Sequence, residues 1–184
     1  GVPIVLNCLG EKGSMTEMTD VELKDIVLTN SSFGPNEIEF IKRRISDDNS
    51  QFGQLRNMVS ELEQQEDRSP ATSVRLGVCY YLLGRYQAAI DTLKQSDNGA
   101  LAFMYQGKSY FALNHFAQAM EAYQSSAAAG YDQGYCKLAI AECKRYMGDI
   151  EGAMSILDDM FGPIEQTSEY LYQRGATVAA TRRN

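Results

Sequence analysis

The chain has 184 residues, 44% apolar and 22% charged, with 17 basic and 24 acidic side chains and a net charge of −7. These proportions describe a soluble globular protein, and the longest uncharged stretch, the 12 residues from Ser109 to Met120, falls short of the roughly 18 apolar residues that a membrane helix needs. A pI near 4.8 and no basic run longer than Lys42-Arg43-Arg44 argue against nucleic acid or anionic lipid as a partner. A single histidine and four scattered cysteines argue against a zinc site and a disulfide scaffold, so no cofactor or metal is expected, and a binding protein is expected ahead of an enzyme.

Charge divides the chain: residues 1–68 carry a net −6 and residues 69–184 a net −1. Residues 1–34 form a poorly defined N-terminal segment. Val2 to Leu6 reads either as a strand or as an extended apolar arm, and Thr19-x-x-Glu22 is a cap signal for a short helix through Leu28. The sequence begins at Gly1 without a basic leader, so any signal peptide is expected to have been removed or never present; Cys8 follows Asn7 in place of the small residue that precedes a lipid-modified cysteine, so a lipid anchor is not expected; and Gly13-Ser14-Met15 reads equally as a cloning junction with Met15 as a natural start.

Residues 35–68 read as a helical hairpin. Asn36-x-x-Glu39 has the spacing of a capping box, after which Ile38, Ile41 and Ile45 share one helical face; a second amphipathic stretch places Phe52, Leu55, Val59 and Leu62 at steps of 3, 4 and 3. Two uses suit this hairpin: a cap on the edge of the array that follows, or a heptad-like surface that makes a homodimer through the N-terminal helices.

From residue 69 the chain repeats. Gly77, Gly107, Ala141 and Gly175 stand 30, 34 and 34 residues apart, and the same steps align Ala89 with Ala119 and Ala153, Tyr86 with Phe116 and Ile150, Leu93 with Tyr123 and Leu157, and Gly84 with Asn114 and Gly148. Small residues in the Gly77 and Ala89 columns allow two helices to approach closely, and bulky ones in the Tyr86 and Leu93 columns fill the seam. Glycine or asparagine in the Gly84 column suits the left-handed residue that ends a helix. Each unit is therefore a helical hairpin with a short turn. Ser69-Pro70 has the form of an N-cap and first-turn pair, and Gly162-Pro163 separates the third hairpin from a final helix. The first repeat is four residues short between Leu93 and Phe103, where Asp97-Asn98-Gly99 predicts an early turn and a second helix shorter by one turn, about 6 Å.

The run Leu76-Gly77-x-x-Tyr80-x-x-x-Gly84-x-Tyr86-x-x-Ala89 resembles a tetratricopeptide repeat. The second copy keeps Phe103, Gly107, Tyr110, Phe116 and Ala119; the third keeps Ala141, Gly148, Ile150 and Ala153 but has Lys144 where the others have tyrosine; residues 167–182 match only a first helix. The resemblance covers residues 69–184 and implies an all-α fold, a right-handed superhelical solenoid of antiparallel helix hairpins, with an N-terminal helical region before it. It also implies a non-enzymatic interaction module, an adaptor or scaffold, whose first helices line a concave groove for a protein or peptide ligand. By register the groove residues are Val74, Val78 and Tyr81, then Met104, Tyr105, Lys108 and Phe111, then Leu138, Glu142, Arg145 and Tyr146, and finally Tyr172 with Gln173. The carboxylate clamp of chaperone-binding relatives is missing, because its places hold Val74, Val78, Tyr105, Tyr135 and Ala139. The expected ligand is thus an apolar-anchored peptide or helix. Two alternatives remain open: a small chaperone like those of type III secretion translocators, which the stretch Ala141-Glu142-Cys143 through Gly148-Asp149 resembles, and the regulatory repeat region of a larger protein.

No catalytic group stands out. His115 falls in a turn without a fixed Asp, Ser or Cys partner, and Asp158 and Asp159 are consecutive on a helix and point apart. Cys79, Cys136 and Cys143 fall at packing positions of their helices. Four unpaired cysteines point to a reducing, cytoplasmic setting.

Overall fold

The computed structural model describes residues 23–29 and 32–183, and among these every regular element is helical. Val2–Leu6, Cys8, Gly13–Met15 and the Thr19-x-x-Glu22 signal lie outside the described residues. The chain divides into two compact units between Asp67 and Arg68.

In the first unit, α1 (residues 23–28) is followed by α2 (Pro35–Asp47) and α3 (Asn49–Glu63), which pack on one another. The cap of α2 sits two residues before the Asn36-x-x-Glu39 spacing: Pro35 opens the helix, and Glu37 Oε2 accepts the Gly34 amide at 3.1 Å. Proline decides this start, since its φ is preset for a first turn and it has no amide to cap. Glu39 instead approaches Lys42 at 3.9 Å. Leu23, Val27, Ile38, Ile41, Leu55, Met58, Val59 and Leu62 are buried. Leu55, Val59 and Leu62 of the face offered above for self-association are among these, and Phe52 of the same face is half-buried.

The second unit is a helical solenoid of three hairpins and a further helix: α4 (Pro70–Leu82) with α5 (Tyr86–Lys94), α6 (Ala100–Ala112) with α7 (Phe116–Ala128), α8 (Gln133–Tyr146) with α9 (Ile150–Asp158), then a 3-10 turn (Pro163–Gln166) and α10 (Ser168–Thr181). Ser69 Oγ caps α4 by accepting the Thr72 amide at 3.2 Å, and Thr167 Oγ1 caps α10 through the Tyr170 amide at 3.2 Å. Gly84, Asn114 and Gly148 have φ of 77°, 63° and 87°. Each is the left-handed residue of the same paired closure. Gly84 N donates to Tyr81 O at 3.0 Å and Arg85 N to Tyr80 O at 2.8 Å, and this pair recurs from Asn114 and His115 and from Gly148 and Asp149. Identical closures give every hairpin the same turn, and the repeat register follows from it.

The small-residue columns are where the two helices meet. A Cβ on Gly77 would stand 2.5 Å from Leu93 of α5, and one on Gly107 2.5 Å from the Tyr123 ring of α7. Ala89, Ala119 and Ala153 are fully buried opposite. The short first repeat has the expected cause: α5 has 9 residues against 13 in α7, with Asn98 at φ 53° and the Gly99 amide held by Asp97 Oδ1 at 2.8 Å. In the third hairpin, Leu138, Ala141, Ala153, Leu157 and Met160 form one core with Tyr170 of α10, so α10 is packed as the first helix of the next unit would be.

Cys79, Cys136 and Cys143 are buried free thiols. Burial holds Cys79 and Cys143 up from 9.0 to about 12, and raises Cys136 as well.

Two predictions follow from this packing. Gly107→Ala forces a methyl into the Tyr123 ring and should lower stability by about 1–3 kcal/mol, measured by urea unfolding; an unchanged midpoint would mean that the ring yields freely. The raised thiols keep their protons in the native state where unfolded thiols release them. Their contribution is therefore complete below the unfolded value of 9.0 and is lost as pH rises through about 12. In a Cys8→Ser background, alkylation at about pH 8.5 should be slow in buffer and fast in denaturant. Rapid native labelling would show that these sites open.

Candidate peptide-binding groove

The side of the array formed by the first helix of each hairpin holds the candidate site. A cleft of about 220 Å³ opens there, lined by Met104 and Lys108 of α6, Tyr123 of α7, Tyr131, Tyr135, Leu138, Ala139 and Glu142 of the α7–α8 turn and α8, and Glu169 and Gln173 of α10. Gln173 ties its wall together. Its amide oxygen accepts from Arg145 Nη2 at 3.3 Å and its amide nitrogen donates to Glu142 Oε2, so one buried side chain of α10 bridges a base and an acid of α8. Glu142 and Glu169 are the acids of the cleft and Lys108 its base. Burial raises Tyr123, with Cys143 and Glu142 adding to it, and burial also raises Tyr81, with Tyr86 and Glu142 adding. Both phenols are therefore neutral at ordinary pH.

Beside the cleft run two aromatic clusters. Tyr81 contacts Tyr86 at 5.7 Å and Tyr105 at 5.3 Å; Phe111 contacts Phe116 at 5.2 Å and Tyr146 at 5.0 Å, each between ring centres. The Tyr86 and Phe116 column thus fills the hairpin seam and also steadies the residues at the end of the preceding helix. Lys108 Nζ lies 5.8 Å from the Tyr105 ring, and the Arg145 guanidinium 4.9 Å from the Tyr146 ring.

The register residues divide by burial. Tyr81, Lys108, Phe111, Glu142 and Arg145 are half-buried, while Tyr146 and Tyr172 are 52% and 64% exposed. Val74, Val78 and Tyr105 are buried, and this corrects their assignment as open groove positions, whereas Met104 and Leu138 are buried but line the cleft. The cause in α4 is that every residue from Ser73 to Cys79 is buried; a helix covered on all sides has no face left to line a groove. Met104 and Leu138 form the cleft floor, and Tyr105 is held edge-on by Tyr81. The sequence reading assigned Tyr123 to the hairpin seam, placed Tyr135 and Ala139 only at positions of the missing clamp, and did not place Tyr131 or Glu169 in the groove. The register could have found Glu169, since it occupies on α10 the place that Tyr135 has on α8. Tyr131 belongs to a turn outside the helical register. His115 stands exposed before α7, and Asp158 is paired with Arg174 at 2.9 Å. Among the described residues no helix is long and apolar enough to cross a membrane, and no cluster of His, Cys, Asp and Glu could hold a metal ion.

Residues 72–96 and 101–128 match the tetratricopeptide repeat family. No curated protein sequence matches the chain. A crystal structure of MamA is similar in fold, with a TM-score of 0.55 and 16% identity over 96% of this chain and 99% of that one. In the third hairpin, Lys137 and Lys144 replace the aromatic residues Phe103 and Tyr110 of the second, and the match stops before it. The fold continues through it because the small and bulky columns are kept.

Gln173→Leu removes the bridge while preserving the side chain's bulk. It should cost about 1–3 kcal/mol, because Glu142 and Arg145 lose their shared partner in a half-buried site. Chemical denaturation measures this; a loss below about 0.5 kcal/mol would show that solvent replaces the amide.

Proposed function

We propose that the chain is a protein-interaction scaffold that binds an apolar-anchored peptide or amphipathic helix along the first helices of its hairpins; the match of residues 72–96 and 101–128 to tetratricopeptide repeats, typically non-enzymatic interaction modules, supports the scaffold. The observation that supports this most is the placing of exposed apolar surface. Among the described residues, the large exposed hydrophobic side chains are Tyr135, Tyr146, Met147, Phe161, Leu171 and Tyr172, all from α8 to α10, at 41–85% exposure. Leaving such groups in water forgoes the stabilisation of burying them, roughly 1.5–3 kcal/mol each for an aliphatic or aromatic side chain. A ligand along the first helices that covers Tyr135, Tyr146 and Tyr172 recovers part of it.

Tyr135, Tyr146 and Tyr172 are the anchors. Tyrosine contributes a large rigid apolar face with few rotatable bonds and a hydroxyl for a polar rim. Tyr135 lies on the cleft lip; Tyr146 is braced by Phe111 and Phe116, which lowers the ordering cost of binding to it. Lys108 and Arg145 against Glu142 and Glu169 set orientation. Charge is secondary to apolar contact here, since the Debye length in physiological salt is ~8 Å and apolar burial is hardly screened.

A captured peptide, identified by pull-down and resynthesised, should bind with an affinity that changes less than about tenfold between low and moderate salt. Tyr146→Ala and Tyr172→Ala should each weaken it by roughly 1–3 kcal/mol, and Gln118→Ala, exposed on α7, should not. Calorimetric titration reads all three. Steep salt dependence with both tyrosine variants unaffected would place the ligand elsewhere.

A further inference from the structure

The cleft between α6, α8 and α10 holds two acids that the fold leaves without a paired base. Glu142 Oε2 accepts from Gln173 Nε2, and Glu169 Oε2 accepts from Ser168 Oγ at 3.3 Å. Among the described residues neither carboxylate makes an ion pair, although Asp149 and Asp158 of the same array are paired with Lys144 at 3.3 Å and Arg174 at 2.9 Å. The bases of this wall are turned to other groups. Lys108 Nζ stands 5.8 Å from the centre of the Tyr105 ring, and Arg145 donates to Gln173 Oε1 and lies over the Tyr146 ring. Gln173 follows Glu169 by one turn of α10 and holds Glu142 by its amide, so the two carboxylates stand about one helical turn apart, ~6 Å along α10. Like charges at such a spacing destabilise each other. A cation between them removes that cost.

The walls suit the rest of a long basic side chain. Tyr131 and Tyr135 contribute rings, and Met104 and Leu138 an apolar floor. Burial raises the Tyr135 phenol and Glu169 adds to it, so the carboxylate acts on that ring. We propose that this cleft is the seat of an arginine of the bound peptide. Its guanidinium lies between Glu142 and Glu169, and its stem crosses the Met104–Leu138 floor. Arginine suits the place better than a compact ammonium does, because its planar fork of donors can reach two carboxylates while its face rests on a tyrosine ring. This rests on the groove reading above and adds to it the side chain that fixes the peptide's register. A charge held inside a cleft is screened less than an exposed one, so a single such contact agrees with weak salt dependence.

A library of synthetic amphipathic peptides, random at the positions around their apolar anchors and retained on the immobilised full chain, tests it. The retained pool should be enriched in arginine. One retained peptide, resynthesised with citrulline in place of that arginine, should bind the parent about tenfold or more weakly by calorimetry, since citrulline keeps the shape and loses the charge. The double variant Glu142→Gln, Glu169→Gln should bind the two peptides alike. It should melt as the parent does, because the new amide oxygen at position 142 still accepts from Gln173. A retained pool without arginine, or equal binding of the two peptides to the parent, overturns the proposal without recourse to any variant and leaves the groove reading standing. A preference for arginine that survives in the double variant also overturns it, since the cation then sits elsewhere. If the parent retains no peptide at all, the groove reading fails and this proposal with it.

Discussion

Backbone contact at the small-residue columns is the constraint on which the array depends. At Gly77 and Gly107 there is no room for a methyl group, because Leu93 and Tyr123 already occupy the space. Interior packing at near-crystalline density leaves few voids, so a hairpin with glycine on one helix and a large apolar group on the other has essentially one close-packed arrangement. The left-handed closures at Gly84, Asn114 and Gly148 bring the two helices to that arrangement each time. With hairpin geometry repeated, the first helices of α4, α6, α8 and α10 fall into a row, and the cleft between α6, α8 and α10 results.

The row is not uniform, and its gradient matters for binding. α4 is covered on every side between Ser73 and Cys79, whereas α8 and α10 leave Tyr135, Tyr146, Leu171 and Tyr172 in water. A helix near the start of the array thus contributes stability, and those near its other end contribute surface. The Gln173 bridge to Glu142 and Arg145 lies between these roles. It holds α10 to α8 with polar groups that, unlike apolar packing, demand one orientation, which keeps the exposed tyrosines on a defined wall.

Which groove residues could be read from the sequence follows from the same gradient. Register alone placed Lys108, Glu142, Arg145, Tyr146 and Tyr172 on the first helices, and the structure finds them half-buried or exposed; it placed Val74 and Val78 by the same rule, and they are buried. Register reports angular position on a helix and carries no information on what covers that side. Tyr131 escaped it because a turn has no helical period. The cap of α2 was misplaced from Asn36 to Gly34 because two cap signals overlap there, and Pro35, with Glu37 reaching back to the Gly34 amide, outweighs Asn36 with Glu39.

The sequence by itself determined the hairpins, their turns, the shortened α5 and the identity of the seam residues. These are local consequences of which side chains are small, which are bulky and which tolerate positive φ, and each acts within about one repeat. Tertiary structure alone decided which apolar residues stay in water and that Gln173 joins an acid to a base across two helices. Both depend on atoms brought together from distant parts of the chain.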